Sequence, residues 1–407
     1  MSRMKVINSF WPAGDGSTLD LDFTQMSTLA DLTSRGLTFS RSTSGTFINA
    51  SGLVATATAG NPRFDYDPST TPPQHRGLLI EGSANNIATY SNDFSNAVWT
   101  LDTSGGTIPA VSTVSQTGPD GASTVTRITF NKTGGTFSRI RQTASGTPSQ
   151  PYTMSVWMKA NTASGGASTQ NVGLRIGADS AGFNCVVTTT WKRFQYTYNL
   201  SGTDAAAQIM LWDNIIGNDE TADVLIYGCQ IEAGNGASSY IPTGASTGNR
   251  ASESLYLDGA AFSAFWPSGQ SELSVYFAGD ITRPPANTQF LWVSRTGSGG
   301  VGTSRTRSFI TTANSIRANT TVSDLNSTLS AAINTRIRTA VGVRSGSCAL
   351  ATNNGTTSTI VVNTDTGLST DATQLVFNPN ADVFQHVSSL KFWPTRLPDA
   401  QLQALIT

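Results

Sequence analysis

Charge is scarce in this sequence: 13% of its 407 residues are Asp, Glu, Lys or Arg, against ~25% in an ordinary soluble protein. The two signs balance, with 25 Lys and Arg against 26 Asp and Glu. No basic stripe stands out, so no nucleic-acid partner is expected. Cysteine is also scarce. Cys185, Cys229 and Cys348 are an odd set without CxxC spacing, which argues against a disulfide framework and for buried thiols in a protein made in a reducing cytoplasm. Long apolar runs are missing as well. None approaches the ~20 residues of a membrane span, so no membrane insertion is expected. The start, Met1-Ser-Arg-Met-Lys-Val, has neither the apolar core nor the cleavage site of a signal peptide.

Ser, Thr, Asn and Gly fill the space that charge leaves, with 38 glycines among them. Ser, Thr and Asn compete for backbone hydrogen bonds and Gly is entropically costly in a helix, so the mix disfavours long helices. It suits short strands joined by tight turns. At ~100–200 residues per domain, the length implies two or three domains. Residues 1–85 are turn-rich, with short strands at Leu19-Asp-Leu-Asp-Phe23 and Arg76-Gly-Leu-Leu-Ile-Glu81. They carry too few core residues for a domain of their own. With Phe10 and Trp11 they are expected to serve as an attachment or oligomerisation region.

Residues 86–246 alternate with period two. Tyr152, Met154, Val156 and Met158 fall on one face of a strand, and Ser155, Trp157 and Lys159 on the other. Arg175 lies on the second face of the 172–177 segment. In 208–212, Ile209 and Leu211 point inward while Gln208 and Trp212 point outward. Further strands at 191–198 and 224–232, separated by Gly/Ser/Asn turns, complete a sandwich signature. After a small-residue linker at Gly244–Asn249, residues 250–407 repeat the pattern. They end in a strand that stops at Pro394 and a helix over 397–406 with a stripe of Leu402, Leu405 and Ile406. The fold class expected is therefore all-β, with tandem β-sandwiches behind an irregular N-terminal region.

Two constellations are more specific. The first runs through Asn61-Pro-Arg-Phe-Asp-Tyr-Asp, Gly77-Leu-Leu-Ile-Glu, Asn85-Asn-Ile, Ser91-Asn-Asp-Phe94 and Trp99. It continues through Tyr152-x-x-Ser-Val-Trp-Met-Lys-Ala160, Trp191-Lys-Arg-Phe194, Tyr227-Gly-Cys-Gln-Ile-Glu-Ala-Gly234 and Ser239-Tyr-Ile-Pro-Thr243. This order resembles the fibre and head-spike proteins of tailed bacteriophages and phage-derived gene-transfer agents. The second, Leu390-Lys-Phe-Trp-Pro-Thr-Arg-Leu-Pro-Asp, looks like the end of a concanavalin-A-like lectin or laminin-G sandwich. The resemblance implies a jelly roll similar to carbohydrate-binding modules at 86–246 and a lectin-like sandwich at 250–407. It implies a homo-oligomer on the virion surface, in contact with other virion structural proteins and with host cell-surface polysaccharide such as a capsule.

Catalysis is not expected. Gly244-Ala-Ser-Thr-Gly248 matches GxSxG but lies in a linker, and only His75 and His386 could complete a triad. No strand carries the alternating acids of a glycosidase, and Asp65, Asp67, Asp219 and Glu220 read as solvated turn residues. Trp157, Arg175, Gln208 and Trp212 are the candidate carbohydrate-binding residues: an aromatic ring stacks on the C–H face of a sugar, while Arg and Gln bond its hydroxyls. No cofactor is required. A structural calcium at Asp93, Asp223 and Glu232 would suit the resemblance, with salt-bridged or solvated carboxylates as the other reading. Two further functions stay open, a decoration protein making only protein contacts and a polysaccharide-degrading tailspike.

Overall fold

A computed structural model describes residues 15–407 apart from 268, 286, 297–303, 320–323, 365–371, 379 and 381. Phe10 and Trp11, assigned to attachment, lie outside the described residues. The chain divides into two compact units. Leu53–Thr56 and Ala84–Arg250 form one; the segment up to Gly52, Ala57–Ser83 and Ala251–Thr407 form the other. Both are built of antiparallel sheets, and the fold class is all-β.

The unit around 84–250 has two five-stranded sheets. One runs in the order Lys192–Asn199, Pro151–Ala160, Thr221–Ala233, Val125–Asn131, Thr107–Val114; the other runs Phe183–Thr188, Thr169–Ile176, Ala207–Trp212, Phe137–Gln142, Thr100–Ser104. Leaving aside the edge strands Thr100–Ser104 and Thr107–Val114, this strand order is that of a jelly roll. Alternation sets what is inside. Met154, Val156, Met158, Val172, Leu174, Ile209 and Leu211 are all fully buried in one core, so the outward positions between them face away from it. Cys185 sits in the same core, and burial pushes its thiol up to about 12. It, Cys229 and Cys348 are all buried, and none of the three is in a disulfide.

The other unit takes strands from both ends of the chain. In its larger sheet Phe384–Trp393 lies between Glu272–Ile281 and Gln74–Glu81, and Leu19–Asp22 also pairs with it, Leu19 opposite Phe392. Leu37–Ser40 joins the seven-stranded sheet beside Ser254–Asp258. Leu21, Phe23, Leu78, Ile80, Phe277, Trp292 and Phe392 share one core. The expected separate region at 1–85 is thus corrected. Most of its described strands lack a core of their own because they belong to the same unit as Ala251–Thr407, while Leu53–Thr56 and the chain from Ala84 belong to the other unit; local periodicity cannot reveal such pairing. Arg63–Asp67, flanked by Pro62 and Pro68, takes the edge of the larger sheet, where a missing N–H costs no ladder bond. Gly77 has φ +108°, and a Cβ there would lie 2.2 Å from the Val387 carbonyl oxygen, so only glycine fits. The last helix, Asp399–Ile406, buries Leu402 and Ile406 against Ala340, Ala349 and Ala351, which contributes ~1.5–3 kcal/mol per side chain. Leu405 is only half-buried.

Charges in this unit are buried in clusters of opposite sign. Glu253 accepts from Arg63 at 2.8 and 2.5 Å and from Arg41 at 2.6 Å, and Arg63 also reaches Glu81 at 2.8 Å. His386 lies between Asp280 (2.9 Å) and Asp65 (2.8 Å). Asp65, expected as a solvated turn acid, is therefore a buried strand residue.

Candidate functional site

The structure divides the four predicted sugar-binding residues. Arg175, Gln208 and Trp212 stand together on the outer face of one jelly-roll sheet, where Arg175 is opposite Gln208. Trp157 belongs to the other sheet, in Pro151–Ala160. It is buried at 8% exposure, edge-on to Tyr227 and Tyr240, with the Arg193 guanidinium 4.5 Å above its ring. Outward alternation located Trp157 correctly, but Gly228 at φ +62° lets Tyr240 and the Trp157 ring close over that position. Trp157 therefore cannot share a site with Trp212.

Around the remaining three, the next strand adds residues that the sequence reading did not single out. Phe137 is opposite Trp212, Arg139 opposite Met210, and Arg141 opposite Gln208; Asp102 on the edge strand is opposite Arg139. Arg139 grips Asp102 with two bonds, 2.6 and 2.8 Å, the forked geometry that suits a carboxylate. Gln208 is engaged at both polar ends. Its Oε1 accepts from Arg139 at 3.0 Å and Arg175 at 3.2 Å, while its Nε2 donates to the Gly177 carbonyl at 2.7 Å. Arg175 lies 4.6 Å over Trp212, and Arg139 lies 4.5 Å over Phe137. Gln208 is thus a strut for two guanidinium groups rather than a free sugar contact, and one face of Trp212 is covered. Burial, with the nearby Arg139 charge, lowers the pKa of Arg175 from its ordinary value. The period-two pattern of Phe137-Ser-Arg-Ile-Arg-Gln142 is the signal that would have added Arg139 and Arg141.

On the opposite sheet a polar cleft of about 550 Å³ opens, lined by Asn92, Asp93, Ser112, Thr113, Asp120 and Tyr227 among others. That size lies within the range of ligand sites. Burial, with help from Asp120, raises the Tyr227 phenol above its usual value and keeps it protonated. Of these, only Asp93 has a ligand role expected from the sequence, as a calcium candidate; Asn92 and Tyr227 enter only through the motifs. The three carboxylates proposed for calcium do not converge. Asp223 is held by Arg127 at 2.8 and 2.6 Å and by Asn161. Glu232 accepts from Ser238 N and Gln230 Nε2, and Asp93 accepts from Ser95. Among the described residues no group of three or more His, Cys, Asp or Glu side chains is placed to hold a metal ion. Gly244-Ala-Ser-Thr-Gly248 forms a bend leading into a three-residue strand, not the strand–helix turn of a nucleophile elbow. Asp219 accepts from Asn171 N, and Glu220 is bonded by Lys132 while its side chain stays exposed to solvent. No helix among the described residues is long and apolar enough to cross a membrane.

No protein-family model matches the chain, and no curated protein matches it in sequence. Among solved structures it is similar to the enzymatically active domain of tailspike protein 4 of bacteriophage CBA120, at 20% identity and a TM-score of 0.27, over 36% of this chain and 21% of that one. It is similar to Trypanosoma rangeli sialidase at 9% identity and a TM-score of 0.26, over 73% and 52% of the two chains. The CBM22-1–CBM22-2 tandem domain of Paenibacillus barcinonensis Xyn10C matches at 12% identity and a TM-score of 0.26, over 77% of this chain and 97% of that one. The chain thus spans about a fifth of the tailspike domain and about half of the sialidase. With an enzymatically active tailspike domain and a sialidase among the similar structures, the expectation of a non-catalytic chain is corrected and withdrawn.

Proposed function

We propose that this chain is a polysaccharide-binding subunit of a phage or gene-transfer-agent spike or fibre, displayed in several copies on the particle and directed at host surface polysaccharide. One observation carries the binding reading: the row of Phe137, Arg139, Arg141, Arg175 and Trp212 on the outer face of the jelly-roll sheet. Arginine N–H groups bond sugar oxygens, and the part of Trp212 left exposed meets the sugar's C–H surface. Each such bond replaces one to water and nets only ~0.5–1.5 kcal/mol. A shallow face of this kind is weak alone, and repetition on a particle raises it by avidity, ~10²–10⁴-fold. The order of motifs from Asn61 to Thr243, which resembles fibre and head-spike proteins, supports the placement on a particle. The test is glycan-array binding by the intact chain, compared with Trp212→Ala carrying an unaltered circular dichroism spectrum. Retention of defined glycans by the parent and loss in the variant is the expected result. No retention of any glycan, even with the chain multimerised on beads, overturns it.

A further inference from the structure

Counting donors and acceptors on this face narrows the ligand. Its two strong acceptors are already occupied: Asp102 holds Arg139, and Gln208 Oε1 holds Arg139 and Arg175. The donors are not exhausted. Arg141 Nε, though buried, has no hydrogen-bond partner, and its nearest carboxylate oxygen, Asp102 Oδ2, is 3.5 Å away. Arg175 spends Nε on the Asp179 carbonyl and Nη1 on Gln208, which leaves Nη2 without a partner among the described residues. Charge points the same way. Arg139 and Arg141 share the one Asp102 carboxylate, while Arg175 is attracted by Asp179 and Asp204 and repelled by Arg139. The Asp179 side chain is turned toward Ala181 N, Gly182 N and the Tyr196 hydroxyl, and the Asp204 side chain toward Ala206 N. Arg141 and Arg175 lie opposite Gln208 on its two flanking strands, about 10 Å apart at the backbone. Arg175 already reaches Gln208, and the Arg141 side chain, which leans on Asp102, is long enough to swing to a group seated over Gln208.

We infer that this face takes a carboxylate-bearing polysaccharide, a polymer of uronic or sialic acids, with the sugar carboxylate over Gln208 between Arg141 and Arg175. The inference rests on the glycan-binding reading and specifies its ligand. A planar carboxylate accepts two parallel N–H bonds from a guanidinium, and its charge removes the repulsion among the arginines. The cleft on the opposite sheet, with Asp93 and Asp120 in its lining, disfavours the same polyanion.

The experiment measures binding of the intact chain to a panel of uronic- and sialic-acid polymers, each beside its carboxyl-reduced counterpart, at low and high salt. The expected result is a preference for at least one acidic polymer over its reduced form that weakens with salt. Arg141→Gln and Arg175→Gln should each weaken that binding ~10- to 100-fold. Arg141→Lys, which keeps charge but loses the fork, should recover only part of it. Equal binding to acidic and reduced polymers overturns this inference and leaves glycan binding standing. An acidic preference that survives both Gln variants also overturns it, because another surface then carries the charge. Failure of all polymers, reduced ones included, sinks the glycan-binding reading itself.

Discussion

Raising the pH should remove one proton from a buried position, and the chain's two histidines make that proton easy to follow. His386 is fully buried, and both ring nitrogens are bonded to carboxylates, Asp280 through Nδ1 and Asp65 through Nε2. Two acceptors on one ring require two N–H donors, which is the imidazolium form. Burial alone would push its pKa down. The carboxylates outweigh burial and hold it at about 9, against an ordinary 6.5. That difference corresponds to about 3 kcal/mol of folding stability. A pKa raised in the folded state gives stability that is fully present below pH 6.5 and lost as the pH climbs through about 9. His75 moves the other way. Burial lowers it, its Nδ1 accepts from Gly77 N, and its Nε2 faces the Met26 carbonyl. In an NMR titration of the imidazole Cε1–H signals, one histidine should titrate below the ordinary range and the other near pH 9. Denaturant unfolding should show stability falling over the same alkaline window, and His386→Gln should flatten that fall. A His386 signal that titrates at or below its ordinary value would refute the reasoning.

Two further perturbations test how the units are held. Glu253→Gln removes a charge from between Arg41 and Arg63, both fully buried; the expected loss is ~3–5 kcal/mol in denaturant unfolding, and a loss below ~1 kcal/mol would mean that Glu81 suffices. Trp157→Ala opens a cavity beside Tyr227 and Tyr240 and should cost ~3–5 kcal/mol, while glycan affinity per folded molecule stays unchanged. A folded variant that no longer binds would return Trp157 to the site.

Much of the fold was legible because it rests on period two. The strands at Pro151–Ala160, Thr169–Ile176 and Ala207–Trp212 bury the alternate residues their pattern demands. Pairing between distant segments was not legible, since nothing near Leu19 or Leu78 says that Phe392 and Val387 lie opposite them. The motifs that carried the resemblance turn out to hold the architecture. Arg63 bonds Glu81, Asp65 bonds His386, and Gly77 lies against Val387. Trp157, Tyr227 and Tyr240 pack as one cluster, with the Tyr240 hydroxyl on Ser91. Trp157, which alternation puts forward for the sugar site, is thus a packing residue of that cluster. Arg139 and Arg141 lie outside every motif; their period-two strand could have marked them as outward residues, but only the register against Gln208 and Met210 places them beside Arg175.

Position within the charge pattern separates arginines that hold the fold from those that face a ligand. Arg63 lies between Glu81 and Glu253, and Arg127 on Asp223, each directly bonded to a carboxylate. Removing either leaves a carboxylate without its partner, so stability falls. Arg141 differs. Its side chain is 37% exposed, Asp102 is 3.5 Å away without hydrogen-bond geometry, and Asp102 is already bonded twice by Arg139. It also shares a strand face with Arg139, and like charges so placed repel. Arg141→Gln should therefore change unfolding stability by no more than ~0.5 kcal/mol, with relief of repulsion offsetting the lost attraction to Asp102. The same substitution should weaken acidic-polysaccharide binding. Equilibrium denaturation and binding measured on one preparation separate the two effects. A stability loss above ~1 kcal/mol would make Arg141 part of the scaffold and remove the structural reason for assigning it to a ligand.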